Sequence, residues 1–486
     1  MNDIIVVGGG TSGCIAALIF KTRYPHKRVR ILESKSKGII GVGESSTEHW
    51  ARFCQYIDIP LLSSVLEANA TFKVGVLFEG WSDQPFMHSI INNYTDQLNG
   101  SYYEILGHVL SNNMPQSMCQ TSNTWEKKIP SNSLNNLDDS PTAQFHFDTH
   151  ALNDFLHRLC NERNIEVIYD DIVDVVVDGD IKSVRSKDTE YRADFFIDCS
   201  GFSKLLLHRT LGVKWISYEK YLPTNAAIAF PTDEMEEYNK WTKATARDCG
   251  WSWTIPTQTR TGNGYVFNDS FMSFDQAHEE MGVDSAKTFK FTPGRLEKSW
   301  YKNCFAVGLS QSFVEPLEAT SIGSVIQQMF CFVNFFPSKD RETCNTIINS
   351  IFDNIVDYVR AHYLTKREDT PFWKYVKNEL EITPNLNHML ELWKNRLPQP
   401  HDVPDIPWKL FDAVNYIPVL YGLNWFDLDK IRHEYLEMDP ENRIGFVVNR
   451  CNNGELYNKF WIDHKQAIQI IRNHERFRKT LLSERC

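Results

Sequence analysis

Apolar and polar positions alternate between two periods along this chain. Ile4-Ile5-Val6-Val7 is a short apolar run that stops at a glycine-rich turn, Gly8 to Gly13; Ile15, Ala16, Leu18 and Ile19 then recur as one helix face, and Val29 to Leu32 is a second run. The order predicts strand, turn, helix, strand, which is one βαβ unit. A further strand signal, Asp194-Phe195-Phe196-Ile197-Asp198, runs into Cys199-Ser200-Gly201, where small residues let the backbone approach a ligand. It is expected beside the first strand. A third, Cys304-Phe305-Ala306-Val307-Gly308-Leu309, leads into a helical pattern from Thr320 to Phe332, and beyond about residue 340 the chain reads as mostly helical. Residues 110–145 are rich in Ser, Asn, Gln and Asp and are broken by Pro115, Pro130 and Pro141, so they read as a mobile loop or lid, or equally as a passive surface insertion.

The predicted class is therefore α/β (α+β), with a discontinuous nucleotide-binding core. Residues 1–50, 150–215 and 296–335 form that core, 51–149 and 216–295 form an inserted substrate and catalytic region, and 336–486 form a mostly helical part on the substrate side. No internal repeat is visible.

Composition narrows the function more than the fold. The chain has 486 residues, 42% apolar and 13% aromatic, enough for at least one large core. Its formal charge of -11 opposes a phosphate backbone, so nucleic acid is not an expected partner. Eleven cysteines without a C-x-x-C pair read as reduced thiols in a cytoplasmic protein, and no zinc spacing is present. The N-terminus lacks a basic n-region, and no run approaches the length of about 18 apolar residues of a membrane span, so neither secretion nor a membrane partner is expected.

Gly8, Gly10 and Gly13 make G-x-G-x-x-G between a strand and a helix, which seats a pyrophosphate on exposed amides. Glu33 closes the second strand twenty residues past Gly13, where a carboxylate accepts hydrogen bonds from ribose hydroxyls. There is one such fingerprint, so one dinucleotide is expected and electrons must arrive from elsewhere. Gly41-Val42-Gly43-Glu44-Ser45-Ser46 is a second glycine-rich turn that either passes close to a ring system or connects two elements.

Three further segments resemble the flavin-dependent tryptophan halogenase family, in order along nearly the whole chain. Trp251-Ser252-Trp253-Thr254-Ile255-Pro256 fits W-x-W-x-I-P. Thr71-Phe72-Lys73-Val74-Gly75-Val76 is similar to the catalytic lysine segment, and Glu315-Pro316-Leu317-Glu318-Ala319-Thr320-Ser321 is similar to E-P-L-E-S-T-G. His146-Phe147-Asp148, Arg260 with Gly262 and Gly264, Pro371-Phe372-Trp373 and Tyr421-Gly422 are weaker echoes. The resemblance implies an FAD-binding Rossmann-like core of the glutathione-reductase and flavin-monooxygenase type. It adds Gly43, Glu44, Ser45, Asp198, Gly201 and Leu309 to the cofactor-binding residues. It implies that reduced FAD, oxygen and a halide give hypohalous acid, and that Trp251 and Trp253 wall off the flavin. Lys73 then passes the halogen, as a hydrogen-bonded acid or a haloamine, to an electron-rich aromatic substrate while Glu318 takes up the proton. Thr320 and Ser321 fall at the halide position, at the head of a helix.

Each feature also has a plain reading. The tryptophans, at alternate positions of a strand, suit a core face; Lys73 suits an edge strand; Glu318 and Thr320 suit a helix cap. The chain departs from tryptophan-specific members in two places. Ala319-Thr320-Ser321 replaces Ser-Thr-Gly, which leaves the preference among chloride, bromide and iodide open, and His88-Ser89-Ile90 replaces a His-Pro-Phe segment. His88 and Ile90, as pocket residues, would stack a bicyclic ring less well. An indole or phenol other than free tryptophan is therefore expected, with a separate flavin reductase as partner and a homodimer left open. The rival readings are a flavin monooxygenase that transfers oxygen directly and a flavin-binding protein without turnover.

Overall fold

The first strand, Asp3–Val7, lies near the middle of a six-stranded sheet, flanked by Arg28–Glu33 and Phe195–Asp198. Glu166–Tyr169 and Cys304–Ala306 extend the sheet in parallel on either side, and Trp300–Tyr301 closes one edge antiparallel. The structure, a computed structural model, describes residues 2–34, 36–39, 41, 44–89, 128–130, 144–437, 439 and 461–473.

Side chains alternate across a strand, so a parallel sheet covered on both faces needs unbroken apolar runs. The division is visible residue by residue. Ile4, Val6, Val29, Ile31, Phe195, Ile197 and Phe305 face a large core shared with helices Thr11–Arg23 and Thr320–Phe335. Ile5, Val7, Leu32, Phe196, Cys304 and Ala306 face a smaller core completed by Leu206, Leu207, Ile181 and Val184.

Backbone contacts fix two glycines of the first turn. Gly8 has φ +114°, and a Cβ there would lie 2.2 Å from the Cys199 carbonyl oxygen; a Cβ on Gly13 would lie 1.9 Å from the Gly8 carbonyl oxygen. Gly10 is different. A Cβ there would meet only Ile39, at 3.9 Å, so its side of the turn stays open.

The second large sheet has seven strands, ordered Lys287–Lys290, Ala226–Thr232, Thr261–Phe267, Gly250–Pro256, Trp241–Arg247, Gly75–Glu79 and Phe86–Ser89. It carries both tryptophans of the W-x-W-x-I-P segment near its centre. A small sheet joins Glu44–Ser45 and Thr71–Lys73 through Gln144–Phe147, with Lys73 opposite Gln144.

Past residue 340 the described elements are helical, from Arg341–His362 to His464–Asn473, apart from the strand Trp461–Asp463. That strand pairs with Lys128–Pro130, a piece of the polar segment read as a loop. Most of 110–145 lies outside the described residues, so the lid expectation does too. Local polarity hides such strands because the pairing that makes them spans more than 300 residues of sequence.

Gly13→Ala is expected to lower the thermal midpoint by a few degrees, on the order of 2 kcal/mol or more, because backbone must move. Gly10→Ala should leave it nearly unchanged. Melting both variants by circular dichroism checks the contrast.

Candidate active site

Residues far apart in sequence converge on one cavity of about 1290 Å³, its open mouth included. Thr11 and Ser12 of the first helix, Glu44 and Ser45, Trp251 and Trp253, Leu309, and Glu318 with Ser321 all line it.

Strand alternation sends both tryptophan rings to this wall, with centroids 6.1 Å apart. Trp251 is held further. Its Nε1 donates to Glu315 at 3.1 Å, and the same carboxylate accepts from Thr224 at 2.7 Å and Tyr363 at 2.7 Å. Burial pushes the Glu315 carboxyl up to about 7, although these three donors pull the other way.

Glu318 sits where the backbone reverses sharply. It has φ 66° and Ala319 has φ 57°, two successive left-handed residues without glycine, an arrangement that costs on the order of 1–3 kcal/mol each. The turn delivers the carboxylate inward, 3% exposed, between two histidines. His88 Nδ1 lies 2.9 Å from both carboxylate oxygens, and His362 Nε2 lies 3.1 Å from Oε1. Burial alone would raise this carboxyl, but the histidines facing it outweigh that and hold it well below the usual carboxylate range. The same turn starts helix Thr320–Phe335, whose first amides no side chain caps, so neither Glu318 nor Thr320 is spent as a helix cap.

Lys73 is 3% exposed, and its Nζ donates to the Ser46 carbonyl at 3.3 Å. Burial lowers its pKa to about 8, with Glu318 and Glu48 partly restoring it. An edge-strand lysine in water would not shift this way. His146, next to it, is locked between Thr71, at 3.3 Å, and Thr242, at 3.0 Å, and Thr242 lines the cavity.

The nucleotide end fits a dinucleotide by what it leaves unsatisfied. Glu44 Oε2 is a buried acceptor without a hydrogen-bond partner among the described residues, and Glu33 Oε2, likewise without one, has His157 Nε2 3.2 Å away as an ion-pair contact. Burial pushes the Glu44 carboxyl up to about 7, a Thr11 contact opposing it. Helix Thr11–Arg23 starts uncapped and without an acidic first turn beside the open face of Gly10. These residues suit two hydroxyl-bearing sugars and a pyrophosphate.

Several predicted residues lie apart from the cavity wall. Asp198 is fully buried and takes four bonds from its own turn, from Ser200 N and Oγ and from Leu206 and Leu207 N, so it shapes the loop that Gly201 begins. Thr320 is buried at the helix head. His88 spends its ring on Glu318, Tyr358 and Asn415. Gly43 and Ile90 lie outside the described residues.

Sequence reading missed Glu315's hold on Trp251, and it missed Tyr358 and His362. Tyr358 and His362, one turn apart on a helix, carry no local mark beyond an i,i+4 polar pair on a buried face. Among the described residues no helix is long and apolar enough to cross a membrane, and no cluster of His, Cys, Asp or Glu is arranged for a metal ion.

The sequence model of the tryptophan halogenase family matches residues 3–431. Tryptophan 6-halogenase SttH of Streptomyces toxytricini is 30% identical over 469 residues, 87% of each chain, and tryptophan 7-halogenase RebH of Lentzea aerocolonigenes is 28% identical over 441 residues, 81% of this chain and 82% of that one. Among solved structures, Tar14, a tryptophan C-6 flavin-dependent halogenase from taromycin biosynthesis, superposes with a TM-score of 0.88 at 26% identity over 97% of this chain and all of that one. BrvH, a flavin-dependent halogenase from Brevundimonas sp. BAL3, gives 0.82 at 25% identity, covering 96% of this chain and 98% of that one. With its cavity, its paired tryptophans and a family match along most of its length, the chain belongs to the tryptophan halogenase family of flavin-dependent enzymes.

Proposed function

We propose that this chain is the halogenating half of a two-component system, fed reduced FAD by a separate flavin reductase in the cytoplasm, and that it halogenates an indole- or phenol-like substrate other than free tryptophan. One observation carries the reading: a buried amine of lowered basicity and a buried carboxylate interact electrostatically beside the cavity that two tryptophans wall. Gly8, Gly10, Gly13, Glu33, Glu44, Ser45, Gly201 and Leu309 would hold reduced FAD, which with oxygen and halide would supply hypohalous acid, a small and unselective electrophile.

The protein supplies the selectivity. Trp251, tethered to Glu315, and Trp253 keep an organic substrate from the flavin, which disfavours direct oxygen transfer. The uncapped amides at Thr320 and Ser321 attract an anion at the helix head, and Ser321 on the cavity wall replaces the glycine of tryptophan-specific relatives. Lys73, with a pKa of about 8, is neutral in a useful fraction of molecules near pH 7 and presents a nucleophilic amine to the oxidant. Glu318, kept ionised, accepts the proton that leaves the ring carbon as the carbon–halogen bond forms.

His88 is not free to stack on a substrate ring. Its ring is engaged by Glu318, Tyr358 and Asn415 and is 2% exposed, which removes the histidine that would otherwise stack on an indole.

Lys73→Ala is expected to cut bromination of an indole by at least about 10³-fold while flavin binding and peroxide formation persist, and Glu318→Gln by about 10². Mass spectrometry of the bromine isotope pattern, with reduced FAD, air and bromide, measures both; halogenation at the parent rate in Lys73→Ala would overturn the reading. The rate should also depend on pH through Lys73: because its amine reacts only when neutral, turnover rises about tenfold per unit toward pH 8 and then levels. Single-turnover rates from pH 6 to 9 check the sign. A panel of indoles and phenols should include compounds turned over at least about tenfold faster than free tryptophan, a difference of roughly 1.4 kcal/mol.

A further inference from the structure

The hydrogens required around Glu318 can be counted. His362 is the last residue of helix Arg341–His362, and its Nδ1 lies 2.9 Å from the Tyr358 carbonyl oxygen one turn earlier. A carbonyl only accepts, so Nδ1 carries a hydrogen. Its other nitrogen, Nε2, lies 3.1 Å from Glu318 Oε1 with both side chains out of solvent. Two lone pairs at that distance repel, so a second hydrogen lies between them, on one atom or the other.

His88 is arranged differently. Asn415 Oδ1 accepts from the Asp412 amide at 2.8 Å, which turns the Asn415 amino group toward His88 Nε2 at 3.3 Å. That nitrogen accepts, so the single ring hydrogen of His88 is on Nδ1, where it serves the Glu318 oxygens and the Tyr358 hydroxyl. The hydrogen of Tyr358 has the Asn415 carbonyl at 3.2 Å and Glu318 Oε1 at 3.5 Å as acceptors, and it too brings no charge. His88 therefore donates without bringing charge, and the compensating proton belongs to His362.

Resting on the assignment of Lys73 as the reactive amine, we propose that His362 is a positioning residue that shares one proton with Glu318, making the pair neutral as a unit and denying Lys73 a full counter-ion. The groups that face Lys73 are Glu318, Glu48 and His146, and those that face Glu318 are His88, His362, Tyr358 and Lys73. Of the two carboxylates near the amine, Glu48 is 27% exposed and water screens it, so the ionisation of Lys73 follows the charge on the Glu318–His362 pair. The sharing balances without oxidant or reductant: one proton moves along a single contact, an N–H bond exchanged for an O–H bond, and the carboxylate takes up the proton of the reaction when the shared one lies on His362.

His362→Gln keeps a neutral N–H for Glu318 but cannot hold the second proton. The carboxylate's charge then goes uncompensated, and the pH limb of kcat assigned to Lys73 is expected to move up by about one unit, with KM changed less than about twofold and the high-pH plateau largely retained. A plateau that falls while the limb stays where it is in the parent enzyme shows a merely structural role and overturns the proposal. Neutron diffraction on the unaltered protein is the second measurement and needs no variant to fold. It should show deuterium on His362 Nδ1 and one more in the Nε2–Glu318 contact; a bare Nδ1, or an empty contact, overturns the inference. Halogenation by Lys73→Ala at the parent rate would instead remove the reading of Lys73, leaving the neutron result to judge the shared proton alone.

Discussion

The site depends on keeping ionisable groups out of water. Lys73, His88, His146, Glu315, Glu318 and His362 are each at most 3% exposed, beside a cavity lined mostly by aromatic and aliphatic side chains. Desolvating an ion costs several kcal/mol unless partners restore the lost hydration, and here the partners are other members of the group. Glu318 is satisfied by two imidazoles and Glu315 by two hydroxyls and an indole, while Lys73 has a backbone carbonyl and a carboxylate it must share. Burial outweighs those partners, and the basicity of the amine falls toward neutrality.

That imbalance is tolerable because rigid elements hold it. The six-stranded sheet carries the glycine turn between two cores divided by strand alternation, and the seven-stranded sheet carries Trp251, Trp253 and His88. Helix Arg341–His362, with Tyr363 just past its end, brings Tyr358, His362 and Tyr363 to the two glutamates. The strained turn at Glu318 and Ala319 joins these supports, since its left-handed residues place one carboxylate inward and begin the next helix in the same few residues. Strain there is offset by the packing of the helix that follows.

Division of labour between the two glutamates follows from their neighbours. Glu315 meets neutral donors only, so burial dominates and its carboxyl rises; Glu318, three residues later, meets imidazoles and stays ionised. The first fixes a tryptophan on the cavity wall, and the second is the carboxylate available to a proton. A search for acids in the sequence cannot tell them apart, because the difference lies in residues 224, 251 and 363 for one and 88 and 362 for the other.

The sequence by itself determined the βαβ unit, the place of Phe195–Asp198 beside the first strand, the helix from Thr320, and the pairing of two tryptophan rings on one strand face, because all of these are written in local periods of apolar residues and in glycines that backbone contacts demand. It also carried the motifs that mark Lys73 and Glu318. Only the tertiary structure decided what those two residues experience. Burial, the imidazoles on either side of Glu318, the tether on Trp251 and the strand formed by Lys128–Pro130 with Trp461–Asp463 all come from contacts between positions tens to hundreds of residues apart. A side chain's charge is set by its neighbours in space, and sequence order lists only its neighbours along the chain.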